Sequence, residues 1–267
     1  MTGWPRWSGS LIGSGTDTMS TSPSESRTRR LIVNADDFGQ SAGINEGIIR
    51  CHERGVVTSA SLMVRWPCAS AAAEYARAAS ALSVGLHLDL GEWSYQRGEW
   101  VPLYVVVAPD NPAAIRTESI RQLETFQRLM GCNPTHIDSH QHVHRCEPAR
   151  TVIAEISDRL GVPVRQSSEK VRYLGEFYGQ SPRGEALDGA ITVEHLVGIL
   201  RQLPDGTTEL GCHPGVQADT LGMYVAERDQ EVHVLCDPRV RAAIEAERID
   251  LISFRNLAPT EFKRATT

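Results

Sequence analysis

Between Thr135 and His144 the chain reads Thr-His-Ile-Asp-Ser-His-Gln-His-Val-His, which places four of its nine histidines and one carboxylate within ten residues. A buried imidazole needs hydrogen-bond partners and a buried carboxylate needs compensation, so packing alone is a poor reason for such density. Metal ligation and proton transfer are the chemistries these residue types perform together. In an extended segment, the period of two puts His136, Asp138, His140, His142 and His144 on one face, looking into a site. A surface metal-scavenging tract is the competing reading, but such tracts are compositional and this one alternates with Ile137 and Val143.

Three more clusters share this character. Leu31-Ile32-Val33 leads into Asn34-Ala35-Asp36-Asp37-Phe38-Gly39, and paired carboxylates after a short β-type run fit the end of a buried parallel strand, where α/β enzymes place their chemistry. Ser83 to Leu90 alternates, with His87 and Asp89 opposite Leu86 and Leu88. Glu209 to Gly215 puts His213 at a strand end closed by Pro214 and Gly215. Each has a plainer reading alone: a hydrogen-bonded histidine at 87, a solvated turn or helix N-cap at 36 and 37. Cys212 beside His213 suggests a Cys-His nucleophile, but neighbours on a strand point to opposite faces.

The elements that must position these residues read as repeated β-α units. A strand runs through Leu31 and a helix covers Ser41 to Arg54, capped by Gly55. Val56 to Val64 is a strand, Ala69 to Ala79 a helix, and the strand with His87 follows. Residues 91–112 read as a long irregular connection rich in Trp and Tyr, before a helix over Pro112 to Met130. The histidine run is the fourth strand, Glu147 to Leu160 a helix, and Val162 to Arg165 a further strand. Residues 167–190 are ambiguous. Ile191 to Leu203 reads as a helix, Thr208 to Cys212 a strand, Arg239 to Glu247 a helix and Leu251 to Phe254 a closing strand. Alternation favours a parallel sheet with chemistry at its carboxyl edge.

Length and composition bound the possibilities. A chain of 267 residues with 41% hydrophobic content suits one large α/β core. Residues 1–29 read as a disordered N-terminal extension by composition, leaving residues 30–267 as a single domain of a length that an α/β barrel commonly uses; Met19 is a second candidate for the start of translation. The net charge of −6 argues against nucleic acid, and no apolar run approaches the roughly 20 residues of a membrane span. Six cysteines without a C-x-x-C pair read as reduced thiols, so a cytoplasmic location is expected. A homo-oligomer remains open.

Asn34 to Gly39, Gly85-Leu86-His87-Leu88, Thr135 to His144 and Cys212-His213-Pro214 together resemble, in order, the signature of the YdjC-like carbohydrate deacetylases. That family includes chitooligosaccharide deacetylases and proteins linked to hopanoid biosynthesis. The resemblance spans about residues 30–258. It implies an α/β fold, a distorted (β/α) TIM-like barrel of the glycoside hydrolase/deacetylase type. It also implies metal-dependent removal of N-acetyl groups from an amino sugar, an oligosaccharide or a sugar-bearing lipid.

By position in those motifs, Asp37, His87 and His140 are the expected ligands of one divalent ion, magnesium or zinc. Asp36 is the expected general base and His213 the acid that protonates the leaving amine. Asp138, His142 and His144 are expected to orient the ligands. His136 and His140 have the four-residue spacing that the broader polysaccharide deacetylases use for two ligands. The closer resemblance, and a strand rise that separates them by about 13 Å, favour His87. Arg145, Arg165 and Arg255 lie near predicted strand ends and are candidates for binding sugar hydroxyls or an anionic group. Two other classes stay open: a metal- and sugar-binding regulator without turnover, and a metal-dependent phosphoesterase on a related barrel.

Overall fold

The computed structural model describes residues 28–218 and 222–262. The expected extension and the candidate start at Met19 lie outside the described residues, except that Arg29 already belongs to the first strand. In chain order the strands are β1 (Arg29–Phe38), β2 (Ser59–Leu62), β3 (Ser83–Leu88), β4 (Gly91–Gln96), β5 (Glu99–Val105), β6 (Ile137–Ser139), β7 (Val171–Leu174), β8 (Gly206–Cys212) and β9 (Ile249–Ile252). The helices are α1 (Ala42–Glu53), α2 (Ala69–Ala78), α3 (Pro112–Met130), α4 (Ala149–Leu160), α5 (Val193–Arg201), α6 (Ala226–Leu235), α7 (Pro238–Ala246) and the short α8 (Pro259–Phe262).

Seven strands form one parallel sheet in the order β6-β3-β2-β1-β8-β7, with β9 on the first half of β1. The sheet curls into a distorted (β/α) barrel with helices outside. Because every pairing in it is parallel, the carboxyl ends of β1, β3, β6 and β8 gather at one edge. β1 is buried on both faces, so Leu31-Ile32-Val33 is a continuous apolar run without alternation. Local signals set the helix ends. Ser41 accepts from the Ile44 N–H at the start of α1, Asn111 and Pro112 open α3, and Gly131 closes it with φ +72°.

Four expectations change. The histidine strand ends at Ser139, and His140–Arg145 form a 3-10 turn in which Gln141 and His142 take left-handed backbone angles. The histidines therefore do not share one face. The strand expected at Val162 to Arg165 is a single bridge from Val164 to Ile137. The connection at 91–112 contains the β4–β5 antiparallel hairpin. α6 had no counterpart in the sequence reading.

Candidate active site

Consecutive residues of a strand should point to opposite faces, yet Asp36 and Asp37 both line one cavity. The register with β2 explains it: Ala35 pairs with Ala60 but Phe38 with Leu62, an extra residue on β1. This bulge is turned by Asp37 at φ +68°, a conformation aspartate tolerates better than most residues. Gly39 continues the turn at φ +95°, packed against the α2 backbone at Ala69.

Each carboxylate has its own buried guanidinium. Arg165 Nη1 donates to Asp36 Oδ1 at 2.6 Å, where Asn34 also donates at 2.8 Å. Arg228 Nη2 donates to Asp37 Oδ2 at 2.6 Å. Burial alone would raise the Asp37 carboxyl; the Arg228 guanidinium and the His140 ring outweigh it and hold it well below the usual carboxylate range.

That pairing leaves Asp37 Oδ1 facing two imidazoles, with His140 Nδ1 at 3.0 Å and His87 Nε2 at 3.4 Å. Two donors each about 2.1 Å from a shared ion lie about 3.0–3.4 Å apart in octahedral or tetrahedral geometry, so these three residues fit a divalent cation. The electrostatics agree. Burial disfavours a charged His87 ring, yet Asp138 and Asp37 hold it up at about 10, and carboxylates that favour an imidazolium also favour a metal cation. His87 Nδ1 donates to Asp138 Oδ1 at 2.8 Å, which turns Nε2 toward Asp37.

The remaining histidines of the run separate. His136 is fully buried, with the Thr135 hydroxyl 3.0 Å from Nδ1, the Ser61 hydroxyl 3.0 Å from Nε2, and the Phe254 ring tilted against it at 4.0 Å. Burial pushes it down to about 3, so it is a neutral core residue. It lies over Gly85, where any side chain would collide with the ring. His144 Nδ1 accepts from the Ser139 N–H at 3.1 Å, and His142 turns toward Gln166 and Tyr173. Of the three residues expected to orient ligands, Asp138 is the one hydrogen-bonded to His87.

The cavity measures about 770 Å³. His213 enters from the end of β8, its Nε2 3.7 Å from Asp36 Oδ2. Tyr178 and Tyr224 flank it, both with centroids 5.4 Å from its ring. Glu231 accepts from the His213 backbone N–H and from the Tyr224 hydroxyl. Burial pushes the His213 imidazole down to about 4. Cys212 points away into the core, where burial raises its thiol well above the usual range, so it is no nucleophile.

Of the three candidate arginines, only Arg145 lines the cavity. Arg165 is 1% exposed and committed to Asp36, Asp138 and Glu209. Arg255 donates to the Ser80 and Leu82 carbonyls before β3, at the opposite edge of the sheet. Neither faces a ligand in the cavity. Glu92, Arg228 and Tyr224 were missed: Arg228 lies on a helix without an apolar stripe, and no local pattern marks the other two.

Residues 30–246 match the family model described as YdjC-like protein. The chain belongs to the YdjC-like family. A carbohydrate deacetylase from Geobacillus stearothermophilus is 33% identical to this YdjC-like chain over 248 residues, covering 85% of it and 97% of the relative. A chitooligosaccharide deacetylase from Proteus mirabilis is 36% identical over 256 residues, covering 85% and 98%. Among solved structures, an Enterococcus faecalis V583 protein named for cellobiose-phosphate cleavage superimposes with a TM-score of 0.69 at 27% identity, covering 86% of this chain and 99% of that one. A family 4 carbohydrate esterase from Streptomyces lividans, solved with acetate, has a TM-score of 0.53 at 11% identity over 90% of this chain and 98% of its own, a likeness of fold. Among the described residues no helix of this YdjC-like protein is long and apolar enough to cross a membrane.

Proposed function

We propose that this protein is a metal-dependent carbohydrate deacetylase that removes an N-acetyl group from an amino sugar or oligosaccharide. The observation that carries this reading is the convergence of Asp37, His87 and His140 beside Asp36 and His213 on the floor of one cavity. The names of the Geobacillus and Proteus relatives support the substrate class. Unpaired cysteines support a cytoplasmic protein.

Asp37, His87 and His140 would hold one divalent ion, magnesium or zinc; when bound, such an ion polarises an amide carbonyl and acidifies a water. Asp138 fixes the His87 tautomer. Asp36 is the general base. Arg165 and Asn34 occupy its Oδ1, and Oδ2 is the oxygen nearest His213. His213, with its pKa near 4, is neutral at pH 7, so it begins as a proton acceptor. The proton that Asp36 takes from water would reach the departing nitrogen through His213, once the 3.7 Å between Asp36 Oδ2 and His213 Nε2 closes to hydrogen-bond distance. His213 is thus a shuttle whose acid form arises during turnover. Arg145 is the remaining candidate among the three arginines for sugar hydroxyls.

The test is a panel of N-acetylated sugars and phosphoesters, including a phosphorylated disaccharide, given to enzyme reconstituted with magnesium or zinc. Acetate release from an N-acetyl sugar is expected. Phosphate release without acetate would make it a phosphoesterase, and saturable sugar binding without product would make it a regulator.

A further inference from the structure

Glu92 belongs to the β4–β5 hairpin, outside the barrel, yet its carboxylate reaches the floor of the cavity. Its Oε2 lies 3.8 Å from His140 Nε2. Both atoms are buried, and neither has a hydrogen-bond partner among the described residues. Two features hold Glu92 there, beside Trp93, which also lines the cavity. Gln141, next to His140, clamps Trp93, next to Glu92: its amide donates to the Trp93 carbonyl at 2.8 Å and accepts from the Trp93 N–H at 3.0 Å. Gly222 makes room, since a side chain there would collide with the Glu92 carboxylate.

We propose that Glu92 is a positioning residue for His140, which makes the hairpin part of the metal site; this rests on the reading that Asp37, His87 and His140 hold the ion. His140 Nδ1 is the nitrogen beside Asp37, so Nε2 carries the ring proton and points at Glu92. The separation is about 0.8 Å beyond a good hydrogen bond, a distance that one side-chain torsion spans. The site is then held by two imidazoles backed by carboxylates through opposite nitrogens: Asp138 behind His87 from the core sheet, and Glu92 behind His140 from the hairpin. A carboxylate in this position selects the tautomer and restrains the ring.

The experiment measures Zn²⁺ affinity of the full chain by competition with a chromophoric chelator. It also follows the His140 Nε2–H resonance by NMR in the Zn²⁺-loaded protein. Glu92→Ala is expected to weaken Zn²⁺ binding about 10–100-fold and to lose the protected Nε2–H signal through exchange with water. Glu92→Gln should retain most of both, because its amide oxygen still accepts from Nε2–H. Gln141→Leu, which opens the clamp without touching a charge, should weaken binding less than Glu92→Ala. If the parent binds Zn²⁺ and Glu92→Ala binds it as tightly, with the signal intact, the proposal fails while the three-ligand reading stands. If Glu92→Gln loses Zn²⁺ as fully as His87→Ala does, Glu92 is a direct ligand and the positioning role is overturned. A parent that binds no Zn²⁺, Mg²⁺ or Co²⁺ overturns the underlying reading itself.

Discussion

The floor and the roof of the cavity face the same space but are built from opposite materials. On the floor, Asp36 and Asp37, with Asp138 and Glu209 behind them, are almost wholly buried and held by Arg165 and Arg228. Three carboxylates crowd Arg165, and burial pushes Glu209 up to about 7 despite that guanidinium. On the roof, Trp100 is 37% exposed and Leu187 47%, while Tyr95 meets Trp100 edge-on and lies under the Arg183 guanidinium. Fixed charges in a low-dielectric setting stabilise developing charge without reorganising, which suits the chemical step. Partly exposed rings bind through area, which suits recognition. Glu92 joins the two regions.

Four outcomes break or sharpen this division. Asp36→Asn should keep its metal, as measured by elemental analysis, and lose on the order of 10²–10⁴-fold in kcat. Retained turnover would move the base off the floor. His213→Ala should slow hydrolysis of an N-acetyl sugar by on the order of 10²-fold and of an activated acetate ester far less, because an amine needs a proton to leave. Equal losses on amide and ester, at equal metal content, would reduce His213 to substrate positioning.

Glu231 ties the floor to the tyrosines of the cavity wall, and its effect should appear in stability. Burial pushes its carboxyl up to about 8 from an ordinary value of 4.5. The folded protein therefore binds more protons there than the unfolded chain between those values, and this group's contribution to stability is lost as pH rises through that window. Glu231→Gln should gain stability relative to the parent on going from pH 5 to pH 8, by roughly 3 to 4 kcal/mol, read from denaturant titrations at the two pH values. No relative gain would mean that Glu231 is ionised throughout.

The smallest effect belongs to the roof. Trp100→Ala should raise KM by about fivefold, the equivalent of about 1 kcal/mol of stacking, with kcat and metal content unchanged. A fall in kcat as large as that of a floor variant would erase the division.

The residues proposed to do chemistry were legible as candidates because their types are expensive to bury without a purpose. Asp36, Asp37, His87, His140 and His213 stand at strand ends in the order the motifs imply, and α3 was readable to the residue from Pro112 and Gly131. α6 was illegible for a physical reason: its buried face carries Arg228 and Glu231 beside Val232, Val234 and Leu235, so no apolar stripe repeats at helical spacing. The hairpin was hidden by Pro102 and by a register shift.

By itself, the sequence determined the alternation of strands and helices and the donor types gathered at the carboxyl edge, since periodicity and local capping act within a few residues. Only the tertiary structure decided which charges meet. Arg165 reaches Asp36 across 129 residues and Arg228 reaches Asp37 across 191, separations no local pattern records. The bulge at Asp37 turned two neighbouring carboxylates into one cavity, and the turn after Ser139 sent His140 to Asp37 while His136 stayed in the core. Those outcomes depend on strand register and on desolvation, which are properties of the packed sheet rather than of any one segment.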